Sequence, residues 1–193
     1  MKHFSIEDVF KGFSFTPAET VLVEDKFKTL NLKKGDAVLS AGQLVPYQYY
    51  VAEGCLRAYY IADTGKEFTL QFAVQDWWIS DYTAFFAEGH SILHIDCVYD
   101  AVVHQISKTS MEQLYREVPQ IESFYRIKME RFFASFQRRI LSDLALPAKE
   151  KYANFLKTYP NIEKHIKNYH LASYLGITTE SLSRIRKEIA RGK

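Results

Sequence analysis

The hydrophobic and polar positions follow two different patterns in the two halves of the chain. From about residue 30 to residue 107, short β-rich runs alternate with turns at intervals of roughly 8–12 residues, a pattern typical of an antiparallel barrel or sandwich. Two short helices are predicted before them, at about residues 5–11 and 16–29, the second beginning at the cap Thr16-Pro17. The predicted strands are residues 37–40, 47–53, 55–61, 67–73, 92–97 and 101–107.

Beyond Lys108 the strand pattern ends and apolar residues recur every three or four positions. A short helix is predicted at 109–117, and the steps after Pro119 predict a continuous helix of more than about 20 residues. A helix of that length extends past a small barrel, so we expect it to pair two protomers, although packing on its own barrel is the alternative. The predicted dimer contacts are Ile121, Phe124, Tyr125, Met129, Phe132, Phe136 and Ile140.

The last part of the chain has the spacing of a helix-turn-helix. Leu146-Pro147 ends the long helix, and a helix at 148–158 follows. Two short helices are then separated by Leu175-Gly176-Ile177-Thr178, where Gly176 supplies the positive φ of the turn and Thr178 caps the second helix. Ala172 is small where the two helices approach each other.

The start of the second short helix presents polar side chains that suit a DNA major groove. Arg184 can pair bidentately with guanine and Glu180 can accept a hydrogen bond from cytosine, whereas Arg186 and Lys187 suit phosphates. A helix pair that serves only for packing is the alternative. The predicted DNA contacts are Thr178, Thr179, Glu180, Ser181, Arg184, Arg186 and Lys187.

The charge distribution supports the DNA interpretation only when it is divided along the chain. The whole chain of 193 residues carries a formal net charge of +2. Residues 149–193 contain 10 basic and 4 acidic residues, a net charge of +6, and residues 1–148 carry −4. A basic end on an acidic domain indicates a polyanionic partner for that end.

Three stretches of the sequence resemble the Crp/Fnr family, that of the catabolite activator protein. They are Leu32-Lys33-Lys34-Gly35-Asp36, Ala41-Gly42 and the run from His170 to Arg186. The resemblance extends over the chain from about residue 15 to residue 190, and the last run is its most specific part.

The resemblance implies an α+β fold in three parts. These are a β jelly roll of the cyclic-nucleotide-binding type at 1–118, a connector and dimerisation helix at 119–146, and a winged-helix-like helix-turn-helix domain at 147–193. It places Thr179, Glu180 and Arg184 at the base-reading positions and implies a homodimer on a palindromic double-stranded operator, with RNA polymerase as a candidate further partner. The sequence stops soon after the second short helix, so we expect no wing strand behind it.

The segment that matches the family's cyclic-nucleotide cassette departs from the pattern. Ser80-Asp81 occupies the place of the usual Gly-Glu pair, and no arginine follows before Arg116. Because a buried phosphate needs a cation, we expect no binding of cyclic AMP. The aromatic residues here either form a pocket for another effector, of unknown identity, or fill the core. The candidate pocket residues are Trp77, Trp78, Ser80, Asp81, Tyr82 and Phe85.

Other function classes have less support in the sequence. Two cysteines are too few for a disulfide framework or an iron–sulfur cluster, and His90, His94 and His104 lack the close spacing of a metal site. We therefore expect no enzyme, no metal and no certain cofactor. Without a signal peptide or a long apolar run, we expect a cytoplasmic protein that does not bind membranes. The alternative is a small-molecule-binding or scaffold protein in which the helical tail only packs.

Overall fold

The computed structural model describes residues 4–160 and 162–192. The chain forms two compact units. The first consists of the residues up to 58 together with 72–132, and the second of 59–71 together with the residues from 133 onward. A short piece of the β region belongs to the second unit, and the long helix contributes residues to both units.

Six strands form one sheet. They are β1 (Lys28–Leu32), β2 (Ala37–Leu39), β3 (Tyr47–Ile61), β4 (Glu67–Ala73), β5 (Trp78–Ile79) and β6 (His94–Ser107). The strand order is β1-β6-β3-β4, with β2 also paired to β6 and β5 to β3. β1 runs antiparallel to β6, with Lys28 opposite Gln105 and Leu32 opposite Ala101.

β3 is one strand of 15 residues where the sequence predicts two, separated at Gly54. Gly54 has a φ of +91°, and a Cβ built on it would lie 2.4 Å from the carbonyl oxygen of Asp100 and 2.5 Å from Ala101. The glycine therefore does not end the strand but lets β6 approach it closely. β6 likewise joins the two predicted runs at 92–97 and 101–107 into one strand.

Helices complete the first unit. They are α1 (Ile6–Val9), α2 (Pro17–Glu24), α3 (Tyr82–Ala87), α4 (Lys108–Glu117) and the first half of α5 (Pro119–Ala145). Thr16 and Glu19 form a capping box at the start of α2, which confirms the predicted cap. The apolar side chains of β3 and β6 pack with those of α1, α4 and α5 in one core.

The second unit consists of the far end of the β3–β4 hairpin, the second half of α5 and the C-terminal helices. These are α6 (Ala148–Thr158), a short 3-10 helix (Ile162–Lys164), α7 (Asn168–Leu175) and α8 (Thr179–Ala190). Most of its buried apolar side chains come from these helical segments, and Thr69 of β4 is buried as well. They include Tyr152, Phe155, Ile162, Leu171, Ala172, Leu175, Leu182 and Ile185.

Candidate functional site

The turn between α7 and α8 has the conformation that the sequence predicts. Gly176 ends α7 in the left-handed region with a φ of 68°. The N–H of Ile177 then donates to the carbonyl of Ala172 over 3.0 Å, which closes the end of α7. Because an L side chain rarely adopts this φ, glycine is the residue that permits the tight connection.

Hydrogen bonds order the start of α8. The Thr178 hydroxyl accepts from the backbone N–H of Ser181 over 3.2 Å and so caps the helix. The Thr179 hydroxyl donates to the Glu180 carboxylate over 3.1 Å. The pKa of Glu180 is lowered from its ordinary value by its own backbone N–H and by the hydroxyls of Thr178 and Thr179. The carboxylate is therefore a charged acceptor at neutral pH.

One face of α8 borders an open depression of about 460 Å³. Its lining residues are one and two helical turns apart, so they project from the same side. They are Thr179, Glu180, Ser183, Arg184 and Lys187. Four of them are predicted DNA contacts. Ser183 is a residue that the sequence reasoning missed, although its position four residues after Thr179 indicates the same face.

Arg186 lies elsewhere. Its guanidinium donates to the Asn168 side-chain oxygen over 2.7 Å and to the Tyr152 hydroxyl over 3.2 Å. It also lies 3.5 Å from a carboxylate oxygen of Glu163. Arg186 thus ties α8 to α6, α7 and the 3-10 helix, and these contacts favour a structural role over the predicted phosphate contact.

The predicted pocket residues Ser80 and Asp81 are buried and engaged within the first unit. Asp81 caps α3 at the N–H of Ala84, and its other carboxylate oxygen accepts from the Ser91 hydroxyl over 2.8 Å and the Ile92 N–H over 3.2 Å. The Ser80 hydroxyl donates to the carbonyl of Tyr47 over 2.9 Å. Both side chains organise the loop around α3, which explains their presence without a ligand.

The predicted aromatic residues of this stretch contribute mainly to the core. Phe85 is fully buried, and Trp77, Trp78 and Tyr82 pack against the core cluster. The Tyr82 hydroxyl donates to the amide oxygen of Gln48 over 3.5 Å. Gln48 in turn donates to the Tyr125 hydroxyl over 3.3 Å. This buried polar chain was missed by the sequence reasoning, since a single glutamine in an apolar strand gives no signal.

Arg57 is the arginine nearest in sequence to the cassette segment. It is 2% exposed, and its guanidinium lies 3.1 Å from a carboxylate oxygen of Asp96 in β6. The pair joins β3 to β6 inside the sheet. Arg57 and Asp96 therefore form a structural ion pair.

The apolar residues of α5 divide into two groups. Ile121, Phe124 and Tyr125 are buried in the core of their own protomer, so their predicted dimer contact is corrected: they have almost no surface left to give a partner. The other four predicted contacts, Met129, Phe132, Phe136 and Ile140, are exposed. Phe133 and Leu144, which the prediction omitted, are more exposed still, at 67% and 82%.

The described residues contain neither a metal-binding cluster nor a membrane-spanning helix. No group of three or more His, Cys, Asp or Glu side chains able to hold a metal ion is found among residues 4–160 and 162–192. Within the same ranges, no helix has the length and hydropathy needed to cross a membrane.

Comparison with known proteins gives a match in structure alone. No family model matches the chain. No curated protein matches it either. The c-di-GMP-responsive global regulator CLP of Xanthomonas campestris has a TM-score of 0.71 at 13% identity, over 92% of this chain and 93% of that one.

Two further solved structures point in the same direction. A protein from Eubacterium rectale assigned to the Crp/Fnr family of transcriptional regulators has a TM-score of 0.71 at 20% identity, over 92% of this chain and 85% of that one. The catabolite activator protein of Thermus thermophilus has a TM-score of 0.56 at 21% identity, over 96% and 87%. The chain has the fold of Crp/Fnr-type transcription regulators, which confirms the expected α+β architecture of barrel, long helix and helix-turn-helix.

Proposed function

We propose that the chain is a homodimeric, sequence-specific DNA-binding regulator of transcription. The observation that carries this proposal is the face of α8, where five polar side chains border one open depression directly after a capped helix start. Arg184 offers a fork of donors for guanine and Glu180 a charged acceptor for cytosine. Thr179 and Ser183 add hydroxyls that either donate or accept.

The charges of the second unit support a polyanionic ligand. Lys187 lines the depression one turn after Ser183 and provides a positive charge for a phosphate. The sequence from 149 onward carries +6, which favours association with nucleic acid in general and adds no sequence preference. We assign the preference for a particular DNA sequence to Glu180, Ser183 and Arg184.

The exposed stripe of α5 supports the dimer. Phe133, Phe136 and Ile140 follow Met129 in steps of four, three and four, the repeat of a two-helix seam. Leu144 extends the exposed stripe by one further turn. Pairing two such helices would bury side chains that water now reaches. Two α8 helices about 34 Å apart would then read successive major grooves of a palindrome.

Cyclic AMP is not part of the proposal. Arg57 is committed to Asp96, and Asp81 brings a negative charge to the cassette segment, with three donors of its own unit around it. A cyclic phosphate at this place would meet the Asp81 carboxylate, and Arg57 is held by Asp96 and is not free to neutralise it. Titration calorimetry is expected to show no binding at micromolar cyclic AMP. A clear binding isotherm would contradict the prediction that the chain does not bind cyclic AMP.

The test of DNA binding is selection of bound duplexes from a random pool, followed by affinity measurement at several salt concentrations. Arg184→Ala is expected to weaken binding to the selected site by about 1–3 kcal/mol and to relax the preference at one base pair per half-site. Arg126→Ala is the matched control, because Arg126 is an exposed arginine paired with Glu130 on α5. An equal loss on all sequences would reassign Arg184 to a phosphate contact.

The dimer is tested by sedimentation of the full chain. Phe136→Lys places a charge in the centre of the stripe and is expected to shift the protein to monomers. Glu130→Lys introduces the same side chain at an exposed polar position outside the stripe and should leave the dimer intact. A wild-type chain that remains monomeric at high micromolar concentration would contradict the proposal.

A further inference from the structure

The edge of strand β4 has side-chain partners in place of a neighbouring strand. β4 stands at the end of the strand order, where backbone N–H and C=O groups are left without a strand to pair with. The Ser173 hydroxyl of α7 accepts from the N–H of Thr69 over 2.8 Å and donates to the carbonyl of Glu67 over 2.7 Å. One hydroxyl therefore forms hydrogen bonds with two backbone groups of the edge strand.

Arg139 of α5 engages the next groups along the same edge. Its guanidinium donates to the carbonyl of Leu70 and lies 3.4 Å from the carbonyl oxygen of Thr69. The same guanidinium stacks on the ring of Tyr174, 3.9 Å from its centroid. Because Tyr174 follows Ser173 in α7, two neighbouring residues of the first helix of the helix-turn-helix are fixed at this place.

The contact is partly buried, and Thr69 is its most buried residue. Thr69 is only 4% exposed, and all the residues of the contact belong to the second unit. Removing the acceptor of a partly buried backbone N–H lowers stability, because water reaches that group less easily than it reaches an exposed one. The Ser173 hydroxyl is thus a specific requirement of the edge and not an incidental surface contact.

We propose that Ser173 and Arg139 form a latch that fixes α7 to the edge of the β3–β4 hairpin and so pre-organises α8 for DNA. The inference rests on the proposed DNA binding. β3 and β4 run without a break from the hairpin end, which belongs to the second unit, into residues of the first unit. The reading face of α8 stays exposed while the latch is closed, and the latched form is the binding form.

The latch is tested with Ser173→Ala, which removes the hydroxyl and retains the helix. Hydrogen exchange of the Thr69 amide, followed by NMR, measures the contact without DNA, and its protection is expected to fall about three- to tenfold. Affinity for the selected duplex is expected to fall about two- to fivefold, with the base preference unchanged, because the freed helices must be ordered on binding.

Two further variants make the result specific. Ser142→Ala removes a hydroxyl from α5 in the same unit and should match the wild type in both measurements, whereas Ser173→Thr keeps a hydroxyl and should restore Thr69 protection. Unchanged Thr69 exchange in Ser173→Ala would overturn the latch, and so would a DNA affinity that equals that of Ser142→Ala or exceeds that of the wild type. A wild-type chain that binds no duplex would instead refute the proposed function, with the exchange result still reporting whether the contact exists.

Discussion

Arg57 in the first unit and Arg184 in the second show two opposite uses of the same side chain. Arg57 is 2% exposed and its guanidinium is held by Asp96 inside the sheet. Arg184 is exposed on α8 beside Glu180 and Lys187. A guanidinium that is buried and neutralised cannot attract an anion from solution, whereas one on an open helix face can.

The carboxylates follow the same division. Asp81 is buried and receives hydrogen bonds from Ala84, Ser91 and Ile92, so it serves the loop around α3. Glu180 lies at the exposed start of α8, where only its own turn stabilises the charge. The net charge of +2 counts buried and exposed charges alike. The exposed charges are the ones that indicate a partner.

Removing Arg57 is the most direct test of the contrast between the buried and the exposed arginine. Arg57→Ala leaves the Asp96 carboxylate, whose side chain is 23% exposed, without its cation and opens space in the sheet. We expect the free energy of unfolding to fall by about 3 kcal/mol, the lower end for a broken buried pair, because water still reaches Asp96. Urea unfolding measures the change.

An exposed pair provides the control for Arg57. Arg126 and Glu130 form an ion pair on α5 with side chains 63% and 62% exposed. Arg126→Ala should change stability by less than about 0.5 kcal/mol. Equal losses in the two variants would show that Arg57 is not the buried structural ion described above.

The sequence predicts the helix-turn-helix well because its signals are local. Gly176 and Thr178 each determine a conformation through their own backbone and side chain, and both predictions are confirmed. The barrel-like β region and the extent of α5 are also anticipated, since period and turn residues act over a few positions. Gly54 misleads, because its φ depends on the approach of β6, which lies more than 40 residues away in sequence.

The side-chain roles that the sequence does not predict depend on distant partners. The apolar period of α5 is the same before and after Met129, so periodicity alone does not separate the half that packs in its own core from the half that stays exposed. Arg186 is two residues from Arg184, and its inward contacts depend on Asn168 and Tyr152 in other helices. Sequence spacing predicts which residues share one face of a helix. Whether that face is buried depends on the other elements that pack against it.

Arg186 and Lys187 are adjacent in α8, so the structural and the DNA-binding roles of basic residues can be compared within one unit. Arg186→Ala is expected to lower the unfolding free energy by about 1–2 kcal/mol, because it removes hydrogen bonds to Asn168 and Tyr152 that are partly open to water. Lys187→Ala should leave stability within about 0.5 kcal/mol and reduce the salt slope of DNA binding by about 1 per protomer. Thermal unfolding and affinity at several salt concentrations separate the two effects. A reduced salt slope in a fully stable Arg186→Ala would return that residue to the phosphate contacts.

The smallest expected effect concerns Asp76 in the first unit, an exposed counterpart of the Asp96 pair. Its carboxylate accepts two bonds of 2.8 Å from Lys11 and one of 2.5 Å from the Tyr50 hydroxyl. Partial burial acts to raise the pKa of Asp76, but the bonds from Lys11 and Tyr50 outweigh it and the pKa lies below its ordinary value. A group with a lowered pKa in the folded state stabilises the fold above its unfolded pKa, and this contribution is lost as the pH falls through the folded value.

Asp76→Asn tests this pH dependence while keeping a residue that tolerates the positive φ of 70° at this position. At neutral pH the variant should be less stable by well under about 1 kcal/mol, since the pair is half-exposed. The difference in melting temperature from the wild type should shrink below about pH 5, as the pH falls through the ordinary carboxyl pKa of about 3.9 and then through the lowered native value. Lys11→Met removes the cation and should weaken the same pH dependence. A constant difference across this range would mean that the ionised carboxylate contributes nothing beyond the hydrogen bonds that asparagine also accepts.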